Sequence, residues 1–419
     1  MRIIGATCDV LVAQADFTDS LNTASDNAVV RVFTDAGITG IGEVECNPWV
    51  IQTLIEASGA HSMDRSLAQC MIGQDALTPE AVWDHLYTRT LLAGRRGAGI
   101  AAIGALDMAV WDIYGKASSK PIWQLLSPKS PKNILPYASL LPHGNTLTKY
   151  RDDLMAKLEW ACKAGFRAVK AEIMISGPHA QPGLQESDTS IVEIVEECRR
   201  TIGDEIDLLI DVGYCWRNWE EALPVVQRME RQNLYLLETP LMPDDVKGYA
   251  ELAAHTDIPI AAGELLSTRF EFDQWIEADA IDVVQPDVGR VGGITEIMRV
   301  VAKAREHGKK VVPHCWKSGI SIAATAHVAA VTDICPMIEY LPAAVSGSIL
   351  RQRLVQKEFI MEEGRILPST AAGLGVELNS QILEEFAVKG HKSGQECGHA
   401  GEESSSVAQT TFFRNRRER

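Results

Sequence analysis

The sequence predicts a (β/α)8 barrel of the α/β class carrying an N-terminal α+β domain, and three observations predict it. Between Val169 and Tyr340, short apolar runs each carry one ionisable residue at or near their end. They are RAVKAE (Lys170), LLIDVG (Asp211), LYLLETP (Glu238), PIAAGE (Glu264), DVVQPD (Asp287), KVVPH (His314) and PMIEY (Glu339). From Asp211 onward these residues follow at steps of 27, 26, 23, 27 and 25, close to the roughly 30 residues of a βαβ unit. Between the runs lie amphipathic stretches such as NWEEALPVVQRMERQ and ITEIMRVVAKAREHG, with apolar residues three and four apart. Parallel strands alternating with helices over about 200 residues close into a barrel, and its strand ends share one mouth. Seven ionisable residues therefore converge there. Helix capping alone does not explain them, because capping favours Asp, Asn, Ser and Thr over Glu.

In chain order, residues 1–45 read as a β meander. RIIGATCDVLVAQ and NAVVRVFTD alternate as strands, and DAGITGIGE supplies a turn and a third strand. The polar loop DFTDSLNTASD separates the first two. From Pro48 to Leu126 the pattern turns helical, with PEAVWDHLYTRTLLAG as one amphipathic helix and the small-residue-rich GIAAIGALDMAVWDIYGKAS as another. The capping domain so defined spans residues 1–130 and the barrel 131–355. The first barrel strand is ILPYASLL, with its helix over Leu154 to Ala164. Residues 356–388 return to the first domain through a hairpin-like EFIMEEGRILP, and the polar 389–419 is expected to be a disordered, solvated tail.

Bulk numbers narrow the function classes. Lys and Arg total 40 against 56 Asp and Glu, a net charge of −16, which leaves no broad basic surface for nucleic acid. No apolar run reaches the ~18 residues of a membrane span, and the start lacks a signal-peptide pattern. Nine cysteines without CxxC or zinc-type spacing suit buried free thiols in a reducing compartment. The expectation is a cytoplasmic enzyme acting on a small carboxylate substrate, with self-association through barrel helices making a homo-oligomer.

The strand-end residues sort by chemistry. Asp211, Glu238 and Glu264 end three successive strands, and all-oxygen ligands of this kind suit a hard cation such as Mg²⁺. Without a cation three carboxylates repel one another. Asp287 and His314 end adjacent strands; an Asp beside a His fixes its tautomer and raises its basicity, as a general base requires. Lys170 can carry positive charge toward a substrate carboxylate, or act as a second base if desolvated. Glu339 can donate to an oxyanion as a neutral carboxyl if its surroundings are apolar. Glu172 shares a strand face with Lys170, and Trp316 and Lys317 follow the histidine; these three are the expected substrate contacts. The GRVGG run at 289–293 matches no phosphate-binding spacing and reads as a tight loop.

Lys170 on strand two, Asp211, Glu238 and Glu264 on three to five, QPDVGRVGGITE on six and VVPHCW on seven together resemble the enolase superfamily, mandelate racemase subgroup. ALDMAVWDIYGKASSKPIWQLL is similar to that family's capping domain, and the resemblance runs from about residue 1 to 388. It implies Mg²⁺-assisted abstraction of the proton α to a carboxylate, with the loop at 16–26 as a substrate-selecting lid. Two positions depart from the subgroup's pattern. Lys170-Ala171-Glu172 puts a carboxylate where a second lysine is frequent, and Asp211-Val212-Gly213 has glycine where asparagine is frequent. Loss of the second lysine argues against two-base racemisation and for dehydration of a sugar acid by His314 alone. The alternatives are a racemase, epimerase or lactone cycloisomerase on the same scaffold, or a non-catalytic paralogue.

Overall fold

The computed structural model describes residues 1–13, 25–59, 61, 65–357, 359 and 361–388. Three antiparallel strands open the chain, β1 (Ile3–Val12), β2 (Asp26–Thr34) and β3 (Thr39–Val44), in the order β1-β2-β3. Strand alternation splits their side chains between two cores. Val30 and Val32 pack with Ile51, Leu86 and Ile103 of the domain's own helices, while Leu11, Val29 and Ile41 join the large barrel cluster. The sheet is thus buried on both faces.

The helix Ala98–Ala117 presses this domain onto the barrel. It is long and apolar enough to cross a membrane by composition, but 89% of its apolar window is buried within the protein. Its small residues permit close approach: a Cβ on Gly104 would lie 2.0 Å from Gly289 O. Asp107 accepts hydrogen bonds from Thr295 N (2.9 Å) and Thr295 Oγ1 (2.6 Å), and Trp83 Nε1 donates to Gly292 O at 2.7 Å. The DVGRVGG segment is therefore a loop clamped from outside the barrel.

Eight strands form the second sheet: β4 (Leu135–Leu140), β5 (Ala168–Glu172), β6 (Asp207–Asp211), β7 (Leu234–Glu238), β8 (Ile260–Ala262), β9 (Val283–Val284), β10 (Lys310–Val311) and β11 (Met337–Tyr340). All neighbours are parallel, in the order β10-β9-β8-β7-β6-β5-β4-β11. Between the two ends, Val311 N donates to Ile334 O (3.0 Å) and Glu339 N to Pro313 O (3.3 Å). Tyr137, Ala168, Leu209, Leu236, Ala261, Val283, Val312 and Met337 fill one interior layer.

Two helices differ from the sequence reading. The one after β4 spans Leu147–Lys163, seven residues longer at its start than expected, because Thr146 accepts from Lys149 N as an N-cap. The expected single helix over 79–94 is Pro79–Arg89 followed by a separate turn at Leu91–Gly94. The segment after the barrel forms a hairpin, Met361–Glu362 with Arg365–Ile366, and a helix, Ser380–Phe386. It touches both parts of the chain: Ile366 bridges to Ile134, Gly373 to Pro121 and Ala387 to Leu11. The tail expected at 389–419 lies outside the described residues. The eight described cysteines are all free, and five are buried.

Candidate active site

The interior layer explains where the charged residues go. A strand returns to the same face every second residue, so Ala168 is followed inward by Lys170 and Glu172, Leu209 by Asp211, Leu236 by Glu238 and Met337 by Glu339. Register aligns them: Glu172 pairs with Asp211, and Asp211 with Glu238. Glu264, Asp287 and His314 sit two or three residues beyond their short strands, on the loops of the same mouth.

Lys170 is 1% exposed and stands between three carboxylates. Its Nζ is 2.7 Å from Glu339 Oε1, 2.9 Å from Glu238 Oε1 and 3.7 Å from Asp211 Oδ2. Burial disfavours the ammonium, but Glu238 and Glu339 outweigh it and hold the lysine pKa well above its usual value. His314 Nδ1 lies 2.9 Å from Asp287 Oδ2, while Nε2 faces Glu264 Oε2 at 3.3 Å and Glu339 Oε2 at 3.7 Å. Against the effect of burial, Glu339, the Asp287 hydrogen bond and Glu264 push the imidazole up to about 10. Asp287 is anchored in turn, its Oδ1 accepting from Gly289 N (2.8 Å) and Arg290 N (2.9 Å).

Negative charge is in excess here. Glu45, Glu172, Asp211, Glu238, Glu264, Asp287 and Glu339 meet three cationic groups, Lys170, His314 and Arg290. Burial pushes Glu238 up to about 8 and Glu172 well above the carboxylate range. A divalent cation among Asp211, Glu238 and Glu264 relieves this excess, so the donor set fits a hard metal. Among the described residues, the group whose ligand atoms lie within 4.8 Å of one another is Glu45, Asp287 and His314, whereas Asp211, Glu238 and Glu264 stand farther apart. In the closer group the charges are already matched, Asp287 to His314 and Glu45 to Arg290 at 3.2 Å, which leaves a cation less to gain there.

Lys170, Glu172, Asp211, Glu264, His314 and Trp316 line one cavity of about 240 Å³. Glu238, Asp287 and Glu339 stand behind its wall. Two expectations need correction. Lys317 does not line the cavity; its Nζ donates to Asp26 O (3.0 Å) and Asp26 Oδ1 (3.2 Å) in β2. Glu339 is not in the apolar surroundings expected for it: Lys170 Nζ is 2.7 Å from Oε1, Oε2 accepts from Cys315 N at 2.7 Å, and against burial Lys170 and His314 hold its pKa below the usual value. The lid expected at 16–26 falls almost wholly outside the described residues.

The cavity also exposes groups the sequence reading passed over. Tyr214 OH donates to Glu264 Oε1 at 2.5 Å, from a left-handed backbone (φ 62°) that follows Gly213 (φ 53°). Non-glycine residues in that region commonly mark functional sites. A Cβ on Gly213 would meet Met174 Sδ at 2.2 Å, so the methionine fills the space an asparagine would need. His179, on the loop after β5, packs edge-on against Tyr214 with ring centres 5.6 Å apart. Arg290 bonds Glu45 O through Nε (3.1 Å). Its place inside the DVGRVGG motif was the available signal; nothing local pointed to Glu45.

Comparison with known proteins bears on this geometry. The family profile described as "Mandelate racemase / muconate lactonizing enzyme, N-terminal domain" matches residues 8–127, and that described as "Enolase C-terminal domain-like" matches residues 153–382. Arabinonate dehydratase of Saccharolobus solfataricus is 30% identical over 330 residues, covering 78% of this chain and 83% of that protein. D-galactarolactone cycloisomerase of Agrobacterium fabrum is 27% identical over 377 residues, covering 87% and 95%. The crystal structure of 3,6-anhydro-D-galactonate cycloisomerase from Zobellia galactanivorans superposes with a TM-score of 0.80 at 26% identity, covering 93% of this chain and 100% of that one.

Proposed function

This chain belongs to the mandelate racemase/muconate lactonizing enzyme family of enolase-like proteins, and we propose that it dehydrates a sugar acid to a 2-keto-3-deoxy acid in the presence of Mg²⁺. It is an enzyme of the lyase or isomerase class, as its dehydratase and cycloisomerase relatives are. The family implies a divalent metal, and Asp211, Glu238 and Glu264 would hold it. When bound, the metal supplies Lewis-acid stabilisation of the substrate carboxylate and takes up the charge of Glu264 that now raises His314.

One observation carries the choice of dehydration. Lys170 is locked among Glu339, Glu238 and Asp211, so it holds a proton and cannot accept one. Glu172 occupies the second position on that strand. That leaves His314 to move protons on one face of the α carbon, which elimination needs and racemisation does not satisfy. His314 Nε2 takes the α proton, and its electron pair forms the C–C double bond as the C–O bond to the β hydroxyl breaks. The same Nε2 returns the proton to the departing oxygen, releasing water, and the enol product tautomerises to the 2-keto acid. Asp287 steadies the imidazolium through Nδ1, and Lys170 offsets the negative charge that builds on the substrate carboxylate.

The eight described cysteines, all free, support a cytoplasmic, reducing setting for this reaction. The test is a panel of sugar acids incubated with the Mg²⁺-loaded enzyme and assayed for 2-keto acid. Formation of a 2-keto acid supports dehydration. Conversion of a lactone or an epimer without any 2-keto acid refutes it in favour of isomerisation.

A further inference from the structure

We propose that the substrate is a sugar acid with a single carboxylate, an aldonate whose far end is an uncharged polyol, and not a dicarboxylate aldarate. The assignment rests on the sugar-acid reading above and narrows its substrate class. One end of the cavity holds Lys170, His314, Asp211 and Glu264, where the reacting carboxylate is seated. The rest of the lining is Leu141, Met174, His179, Leu265 and Trp316, with Tyr214, whose OH reaches Glu264 at 2.5 Å. These side chains offer apolar surface, a phenol, an indole and an imidazole, which suit a hydroxylated carbon chain.

A second carboxylate needs a permanent cation, and the cavity's cations are engaged elsewhere. Among the described residues, the lysines and arginines that line it are Lys170 and Arg290. Arg290 is bound to Glu45 by Nε to the backbone oxygen (3.1 Å) and by an ion pair at 3.2 Å, and it reaches Glu264 O at 3.5 Å. Lys317, one residue beyond Trp316, turns to Asp26. The same cavity presents Glu45, whose carboxylate already takes the Arg290 guanidinium at 3.2 Å, so the charge of Arg290 is matched within the wall.

The experiment is calorimetric titration of the full, Mg²⁺-loaded chain with matched pairs at pH 8: gluconate and glucarate, galactonate and galactarate, arabinonate and arabinarate. In every pair that binds, the aldonate should bind at least about tenfold more tightly than its aldarate. A smaller margin, an aldarate that binds as well as its partner, or the binding of no aldonate overturns the proposal. Product assays on the same pairs separate it from the dehydration reading. Tight aldonate binding without 2-keto acid refutes dehydration and leaves the single-carboxylate assignment standing. Comparable kcat/KM for 2-keto acid from an aldarate does the reverse.

Discussion

Replacing Asp287 by asparagine probes the dyad through its hydrogen-bond geometry. Oδ1 of Asp287 accepts from two backbone N–H groups, at 2.8 and 2.9 Å, and Oδ2 faces His314 Nδ1 at 2.9 Å. An asparagine can keep both backbone bonds only if its carbonyl takes the Oδ1 position, which aims its NH2 at the imidazole. The flipped amide would set that NH2 against two N–H donors and forfeit two buried hydrogen bonds, at about 1–3 kcal/mol each. Nδ1 must then accept, so the proton moves to Nε2, where the α proton has to arrive. Loss of the orienting carboxylate in a Ser-His-Asp triad costs ~10⁴ in rate, or about 5 kcal/mol, and that sets the scale here. The assay is kcat for 2-keto acid formation from pH 6 to 10, with circular dichroism to verify folding. Removing the Asp287 charge should also lower the His314 pKa and shift the profile. A folded variant within tenfold of wild type and with an unshifted profile would refute the reasoning.

Three further outcomes follow from other parts of the molecule. Glu238→Gln should weaken Mg²⁺ binding by about tenfold or more in a calorimetric titration, because it removes one of three anionic ligands; unchanged affinity would mean the metal site is misassigned. His327 is buried with Trp123 N donating to Nδ1 (3.3 Å) and Nε2 on Leu374 O (3.0 Å), and burial drops its pKa to about 4. The folded form stays neutral while the unfolded chain takes up a proton below pH 6.5, so stability falls as pH drops from about 6.5 to 4. The loss is about 3 kcal/mol; urea titrations should show a shallower acid limb for His327→Gln, and an identical limb would contradict the assignment. Gly104→Ala should cost roughly 1–3 kcal/mol in thermal unfolding, since its Cβ would press on Gly289 O. It should also lower kcat by shifting the loop that anchors Asp287; a variant unchanged in both Tm and kcat would show that the loop tolerates the displacement.

Much of the site could be read in the sequence because strand geometry is simple. Glu172, Asp211, Glu238 and Glu339 sit where a period of two carries an interior strand face past its apolar layer, so counting along the apolar runs placed them. His314 and Asp287 were harder to place, since their strands are only two residues long and loops make up the distance. Their meeting depends on the DVGRVGG loop being clamped by Trp83, Gly104 and Asp107, contacts that span long separations in the chain. The charged surroundings of Glu339 were invisible for a related reason. Its pKa is set by Lys170 from another strand and by the Cys315 amide, and no local pattern reports either. Lys317 misled because a lysine two residues from a catalytic turn suggests a substrate contact, whereas the nearby β2 offers Asp26. Tyr214 needed a left-handed backbone to reach Glu264, and sequence periodicity carries no signal for that.

Proton exchange in D2O tests the central claim, that one histidine moves the protons, most directly. With a turnover substrate, exchange of the α proton and formation of 2-keto acid are followed together by NMR for His314→Asn and Lys170→Met. Both variants are first verified to be folded by circular dichroism. The account predicts that His314→Asn abolishes exchange and product alike. Lys170→Met should slow turnover by the loss of charge stabilisation, commonly worth about 3–4 kcal/mol in such sites, while exchange persists. Continued exchange in folded His314→Asn would contradict the account. Lys170 would then be a base in its own right on the opposite face, and the enzyme would be an isomerase.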